Sequence, residues 1–370
     1  MTASRGGTGR HIPAGNAHSD ARLEQIAQWL RRELKLELVR LEPASNDASF
    51  RRYFRVWRAD GATRVVMDAP PDKEDTAPFL KVAGLLARCG VHVPRIDAVD
   101  AARGFVLLED LGSTQYLARL RAGEDPEGLY GDALEALQRI QLHGLDGARE
   151  LPPYDRAALQ REMALMGEWF CGQHLGLKLD AVDRGVLADT FELLTHAALS
   201  QPVVFVHRDY HSRNLMWLPT GNPGILDFQD ALAGPIAYDL VSLLKDCYMA
   251  WPRARVQRWV ADYRARLAAQ GGPVGANLDE FLRWFDLIGL QRHIKVLGIF
   301  ARLWWRDGKS GYLADLPRTL QYVREAAALY PELSAFAAWL ERRVLPAFEP
   351  ANAAALAQAD AQAAHQAPKP

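Results

Sequence analysis

One interruption in a long helical pattern constrains this chain more than any other feature. Leu129, Ala133, Leu137 and Ile140 recur at helical spacing, and further helical stretches cover 155–175, 183–199 and 239–345. Within that run the pattern lapses once. VVFV, a polar loop, NLMW, the turn sequence PTGNP and GILDF follow one another over residues 203–228. The spacing therefore predicts a mostly helical unit with a small hairpin inside it, and the hairpin carries polar residues between apolar strands.

Upstream of residue 111 the pattern is different. Leu23, Ile26, Leu30 and Leu34 mark an amphipathic helix that Ser19 or Asp20 can cap. FRRYFRVWR and TRVVMDA then read as strands joined at Asp60-Gly61, a hairpin signal. A helix follows from about Pro78 to Cys89, with Gly90 placed to stop it. After the break at Val93-Pro94, IDAV and GFVLLED read as two more strands around a turn near Arg103-Gly104. Glu109-Asp110 is a candidate paired acid site but reads more readily as the close of the last strand and the start of a linker. The expected fold class is α+β and bilobal, with a small β-rich N-lobe at 19–110 and a larger, mostly helical C-lobe at 111–349. Residues 1–18 and 350–370 are expected as disordered tails. Two such lobes leave a cleft, where ligands usually bind.

Composition excludes several function classes. Among 370 residues, 44 Lys+Arg and 45 Asp+Glu give a net charge of -1, so no nucleic-acid partner that needs a broad basic surface is expected. The three cysteines, Cys89, Cys171 and Cys247, form neither a CxxC nor a ligand spacing. They suit small buried positions in a reducing cytoplasm. The N-terminus lacks an apolar signal core, and no apolar run approaches the roughly 18 residues of a membrane span. A cytoplasmic monomer without a membrane partner is the expectation.

The chemistry concentrates in the interruption, which contains His207-x-Asp209-x-x-x-x-Asn214 and then Asp227 at the end of the next strand. Phosphoryl transfer asks for such a set. One carboxylate orients the attacking hydroxyl, while an amide oxygen and a second carboxylate hold Mg²⁺ on the phosphates. Asp209 suits the first role; Asn214 and Asp227 suit the others. Ser212 beside His211 raises a hydrolase alternative, but no GxSxG elbow accompanies it. Asp239 reads as a helix-start residue that satisfies free amides.

The HRDYHSRN and LDF segments resemble the kinase-like fold of aminoglycoside phosphotransferases and choline kinases, over roughly residues 20–345. With SNDASFRRYFRV, VVMDAPP, GFVLLEDLG, FQDALAGPIAYDLVSLLKDCY and QRHIKVLGIFARLWWRDGKSGYLADLPR added, the chain looks like the bacterial cell-wall-recycling sugar kinases. That resemblance implies a protein-kinase-like fold, ATP and Mg²⁺ as cofactors, and a small amino sugar as substrate. The reaction it implies is phosphorylation of the anomeric hydroxyl of N-acetylmuramate and N-acetylglucosamine. It makes Asp209 catalytic, Asn214 and Asp227 metal ligands, and the segment from Leu108 to Leu111, with Glu109 and Leu111, the adenine hinge. The phosphate loop would be Ser49 and Phe50 with Arg51 and Arg52.

Two departures from the pattern stand out. Met67 occupies the place of the strand lysine, and the phosphate loop is poor in glycine. Arg51 or Arg52 is the expected substitute cation; the alternative is that one of them faces solvent. Only QDALAGPIAY separates Phe228 from Asp239, which leaves no room for an activation loop. Asp230 either supports the metal site or serves a turn. Arg292, Lys295 and Arg302 are candidates to read a substrate carboxylate, set against a solvated basic helix face. Trp304 and Trp305 read as core more readily than as a sugar platform. The competing functions are an aminoglycoside-type phosphotransferase and an inactive kinase-like binding protein.

Overall fold

The computed structural model describes residues 21–45 and 50–366. The expected tail at 1–18 and the loop residue Ser49 lie outside these. The chain divides into two compact units: one runs up to Ala77 and includes Pro94–Asp110, and the other comprises Pro78–Val93 and everything from Leu111 onward.

In the first unit a helix, Ala21–Gln28, continues through a wider turn at Trp29–Glu33. It packs on a five-stranded antiparallel sheet. The strands are β1 (Leu38–Ser45), β2 (Arg52–Arg58), β3 (Thr63–Asp68), β4 (Ile96–Asp100) and β5 (Phe105–Glu109), in the order β1-β2-β3-β5-β4. Ile26, Trp29 and Leu30 bury against Phe54, Val56, Val66, Phe105 and Leu107. The hairpin turns at Asp60-Gly61 as its sequence requires, with Asp60 Oδ1 accepting the Ala62 N–H at 3.0 Å. Gly104 is obligatory: its φ is +73°, and a Cβ there would lie 1.8 Å from the Ala69 carbonyl oxygen. The sequence pattern does not predict strand β1. It is an edge strand with Val39 exposed and Pro43 inside it, so its apolar alternation is weak.

The helix Ala77–Arg88, expected within the N-lobe, groups instead with the helical unit. The cause is packing: Phe79 stacks on Phe228 at 4.9 Å, and the Lys81 ammonium donates to the Glu150 carbonyl at 2.5 Å. The remaining expected helices form, notably Pro126–His143, Arg156–Leu165, Ala181–Leu199 and the 28-residue Leu278–Trp305. The expected disordered tail at 350–370 is corrected in part. A helix runs from Leu345 to Gln366, with Asn352, Ala355 and Ala359 buried. Its alanine-rich composition resembles a linker but has high helix propensity, and one face finds a packing partner.

The β interruption is not one hairpin. β6 (Val203–Val206) pairs with β9 (Leu232–Pro235), a strand the sequence pattern does not reveal, whereas β7 (Leu215–Met216) pairs with β8 (Gly224–Ile225). LAGP lacks the β-branched residues that mark a strand, and its extended state comes from the ladder with β6.

The long helix Leu278–Trp305 approaches Arg156–Leu165 very closely at Gly298. A Cβ there would lie 2.4 Å from the Leu165 carbonyl carbon. Gly298→Ala should therefore destabilise the protein by roughly 1–3 kcal/mol through overpacking. Gly84 lies mid-helix, and a methyl group added to it would meet nothing within 4 Å, so Gly84→Ala should stabilise by about 0.5–1 kcal/mol. Urea denaturation of the two variants checks the opposed signs.

Candidate active site

The loop after β6 is held in an unfavourable conformation by several bonds at once. Arg208 has φ +78°, uncommon for a residue with a Cβ. Its N–H donates to Asp239 Oδ1 at 3.0 Å, and the preceding His207 N–H donates to Asp239 Oδ2 at 2.6 Å. Its carbonyl accepts from the Ser242 hydroxyl at 3.3 Å, and its guanidinium bonds Glu162. Asp239 thus does satisfy amides, but those of this loop rather than of its own helix, Tyr238–Leu244. Its fully buried carboxyl is pushed up to about 7 by desolvation, which the two amide bonds only partly offset.

His207 links the loop to the end of β8. Its Nε2 bonds the Leu226 carbonyl at 3.0 Å, and its Nδ1 accepts the Asp209 N–H at 3.3 Å. That pattern requires a neutral ring protonated on Nε2. Burial pushes its pKa down to about 4, in keeping with that state. The Leu226 N–H also donates to the Asn214 carbonyl at 2.9 Å. These ties bring the three sequence-predicted groups together. Asn214 Nδ2 donates to the Asp209 carbonyl at 3.0 Å and to Asp227 Oδ2 at 3.2 Å. Asp227, itself at φ +63°, accepts from Gln229 at 2.9 Å through Oδ1.

With Nδ2 engaged, Asn214 keeps its amide oxygen as a lone-pair donor beside the exposed Asp227 carboxylate. One carboxylate and one amide oxygen form a hard donor pair of the kind that holds Mg²⁺ together with substrate phosphates. Among the described residues no group of three or more His, Cys, Asp or Glu side chains forms a metal cluster. A transition-metal site of that kind therefore finds no support there.

Asp209 presents a side chain that is 47% exposed. Desolvation raises its pKa, but the positive charge of protonated His211, Lys295, Arg292 and Arg208 outweighs it, and the carboxyl sits below its ordinary value. His211 is itself pushed down to about 3 by burial, so Lys295, Arg292 and Arg208 supply the field at neutral pH. Two of these cations share Glu162, a residue that sequence reasoning misses. Glu162 accepts from Lys295 at 3.1 Å and also bonds Arg208 and the Tyr154 hydroxyl. Lys295 further donates to the Tyr238 hydroxyl at 3.2 Å. Glu162 lies 46 residues before Arg208 on a helix without a motif, and nothing in its local sequence marks it.

The other sequence candidates fall in different places. Arg292 is 5% exposed, with Nη2 4.0 Å from Asp209 Oδ1. Its Nε and Nη1 are buried without a hydrogen-bond partner among the described residues, at a cost of about 1–3 kcal/mol. Arg302 is ten residues further along the same helix, about 15 Å in axial rise, and lies near Asp307 instead. Trp304 is buried and Trp305 exposed. Asp230 is exposed in the turn closed by Ala231 N–H on the Phe228 carbonyl at 3.0 Å; Gln229, not Asp230, bonds Asp227. Ser212 is buried and donates to Asp246 at 2.5 Å, which removes the hydrolase alternative's nucleophile.

In the first unit, Met67 is buried and faces Tyr53 and Val106 across the sheet. Arg51 pairs with Glu74 at 3.1 Å. Arg52 and Arg22 together clamp the buried Asp68, with contacts of 2.5 Å each. Phe50 is exposed. Glu109 accepts the Arg95 N–H at 3.2 Å, and Asp110 receives Arg55 at 2.7 and 3.0 Å. Leu111, the first residue of the second unit's main segment, is buried. The three cysteines are free and buried as expected, and no described helix is long and apolar enough to cross a membrane.

Proteins of known name and structure resemble this chain. The profile of the phosphotransferase enzyme family (APH) matches residues 40–281. The N-acetylmuramate/N-acetylglucosamine kinase of Pseudomonas aeruginosa is 48% identical over 325 residues, covering 85% of this chain and 95% of that protein. The protein of the same name from Pseudomonas putida is 46% identical over 326 residues, covering 85% and 94%. The crystal structure of ADP-bound aminoglycoside phosphotransferase APH(2'')-Ib superposes with a TM-score of 0.53 at 15% identity, covering 82% of this chain and 98% of that one.

The neutral state of His207 has a measurable consequence. Its folded pKa of about 4 lies below the ordinary 6.5, so the unfolded chain binds the proton first. Its contribution to stability is present above 6.5 and is lost as pH falls toward 4. His207→Gln keeps a donor and an acceptor but cannot titrate. Relative to this variant, the wild type should lose about 3 kcal/mol between pH 6.5 and 4. Urea curves at several pH values measure the difference, and parallel curves would contradict a buried neutral ring.

Proposed function

The chain belongs to the phosphotransferase enzyme family, and on that premise we propose that it phosphorylates the anomeric hydroxyl of N-acetylmuramate and N-acetylglucosamine with ATP. The product is the sugar 1-phosphate, in the recycling of cell-wall sugars toward a nucleotide-activated form. The observation that carries the reading is the convergence of Asp209, Asn214 and Asp227 through the Asn214 amide. The near-full-length likeness to relatives of that name supplies the sugar. We read the protein as a cytoplasmic monomer acting on a small molecule.

Asp209 receives the acceptor hydroxyl. Its depressed pKa keeps it ionised at neutral pH, so it orients the oxygen lone pair toward phosphorus and holds the departing proton. The acceptor oxygen bonds to the γ-phosphorus as the bond to the bridging oxygen breaks. Asp227 and the Asn214 amide oxygen would hold a divalent cation, which when bound would neutralise charge on the phosphates. Phe50, Arg51 and Arg52, with Ser49, are the proposed phosphate-side residues, and the backbone from Leu108 to Leu111 the adenine-side one. Arg51 and Arg52 already face carboxylates of their own unit, so either arginine would exchange a carboxylate for phosphate on nucleotide binding.

The cations around Asp209 disfavour a polycationic aminoglycoside as acceptor. An inactive binding protein has no use for an ionised, half-exposed Asp209 beside a coupled Asn214 and Asp227.

Asp209→Asn should lower kcat by roughly 10²-fold or more with little change in KM for ATP; steady-state kinetics on the purified variant measure both. Near-normal turnover would remove Asp209 from the reaction. N-acetylglucosamine should yield a 1-phosphate by phosphorus NMR, and its methyl glycoside should be inert because the acceptor oxygen is blocked. A 6-phosphate, or turnover of the glycoside, would overturn the anomeric assignment.

A further inference from the structure

Arg292 and His211 present unsatisfied polar atoms beside the same carboxylate. The Arg292 guanidinium is 5% exposed and lies 4.0 Å from Asp209. Its Nε and Nη1, and the Nδ1 of His211, are buried without a hydrogen-bond partner among the described residues. The His211 ring meets Tyr248 edge-on at 5.4 Å. Arg292 through its side chain, and His211 through its N–H on the Asp209 carbonyl at 3.0 Å, thus both adjoin Asp209, the residue that receives the acceptor in the proposed reaction.

The other two basic candidates on this helix are placed differently. Lys295 is taken by Glu162 and Tyr238, and Arg302 lies ten residues away along the helix. The remaining subsite offers guanidinium N–H donors and one imidazole nitrogen that accepts in the neutral ring. A carboxylate would fill the donors only. A secondary amide fills both, its carbonyl accepting from Arg292 and its N–H donating to His211. A carboxylate is also absent from one of the two proposed sugars, and that sugar would leave the buried guanidinium unpaired.

We propose that Arg292 and His211 form the subsite for the 2-acetamido group next to the acceptor hydroxyl, and that this subsite sets the requirement for an N-acetylated sugar. This deepens the sugar kinase reading and rests on it. Lactyl recognition is left to other groups or to water, which explains how one site serves both sugars.

The test is the kcat/KM of wild type, Arg292→Met and His211→Phe on N-acetylglucosamine, N-acetylmuramate and 2-deoxyglucose, which lacks the acetamido group. Where turnover of 2-deoxyglucose is too slow, its inhibition constant against N-acetylglucosamine gives the comparison. Arg292→Met should lower the ratio of N-acetylglucosamine to 2-deoxyglucose by roughly 10- to 100-fold, the worth of one charge-assisted hydrogen bond. N-acetylmuramate should fall in parallel. His211→Phe should lower the same ratio by a smaller factor, near tenfold, because a neutral bond is lost. A selective loss on N-acetylmuramate would make Arg292 a carboxylate reader and overturn the proposal. An unchanged ratio, with all three sugars falling together, would make both residues structural and overturn it equally. Arg292→Lys keeps the charge without the fork and answers the question should Arg292→Met fold poorly; an unchanged ratio there, too, counts against the proposal. Failure of the wild type to form a 1-phosphate would instead remove the sugar kinase reading itself.

Discussion

The buried carboxylate of Asp239 is the constraint on which the loop after β6 depends. It takes the N–H groups of His207 and Arg208, the two residues that enter the loop, at a point where Arg208 adopts a left-handed backbone. Such a conformation costs of order 1–3 kcal/mol and persists only where its surroundings over-determine it. Here they do. The Ser242 hydroxyl, Glu162 and the His207 ring each fix a different atom of the same turn. The strain places Asp209 at the surface of a loop whose root is buried.

Electrostatics follow from that placement. Glu162 balances Arg208 and Lys295, so two cations can sit near Asp209 without a large net positive charge beneath the site. Buried charge is tolerated when it is paired and hydrogen-bonded. Gly298 permits this arrangement, since only a residue without a side chain lets the Arg156–Leu165 helix, which carries Glu162, lie so near the Leu278–Trp305 helix, which carries Lys295. Arg292 is only partly satisfied: it lies 4.0 Å from Asp209, while its Nε and Nη1 have no hydrogen-bond partner among the described residues.

Much of the architecture was legible in the residues. Apolar period located the main helices, and Asp60-Gly61 and Gly104 located turns because few residues other than glycine accept those backbones. The His207–Asp209–Asn214–Asp227 set was legible as a group because its members lie at short spacing, and the structure brings Asp209, Asn214 and Asp227 together. Strands β1 and β9 were not, since an edge strand and a glycine- and proline-containing one carry little periodicity of their own. The C-terminal segment misled for the opposite reason. Alanine and glutamine read as a linker until a neighbouring surface gives their helix a face to bury.

Sequence alone determined the candidate set around Asp209 and the change from a β-rich to a helical unit, because both are written in residues close in the chain. It also set the reaction class, through residues whose spacing the chemistry dictates. Only the tertiary structure decided that Glu162 binds Arg208 across 46 positions, that Asp239 serves a loop rather than its own helix, and that Arg292 rather than Arg302 stands beside Asp209. Those choices depend on which faces of distant helices meet, and local sequence leaves that open because a helix repeats its faces every turn and packing selects among them.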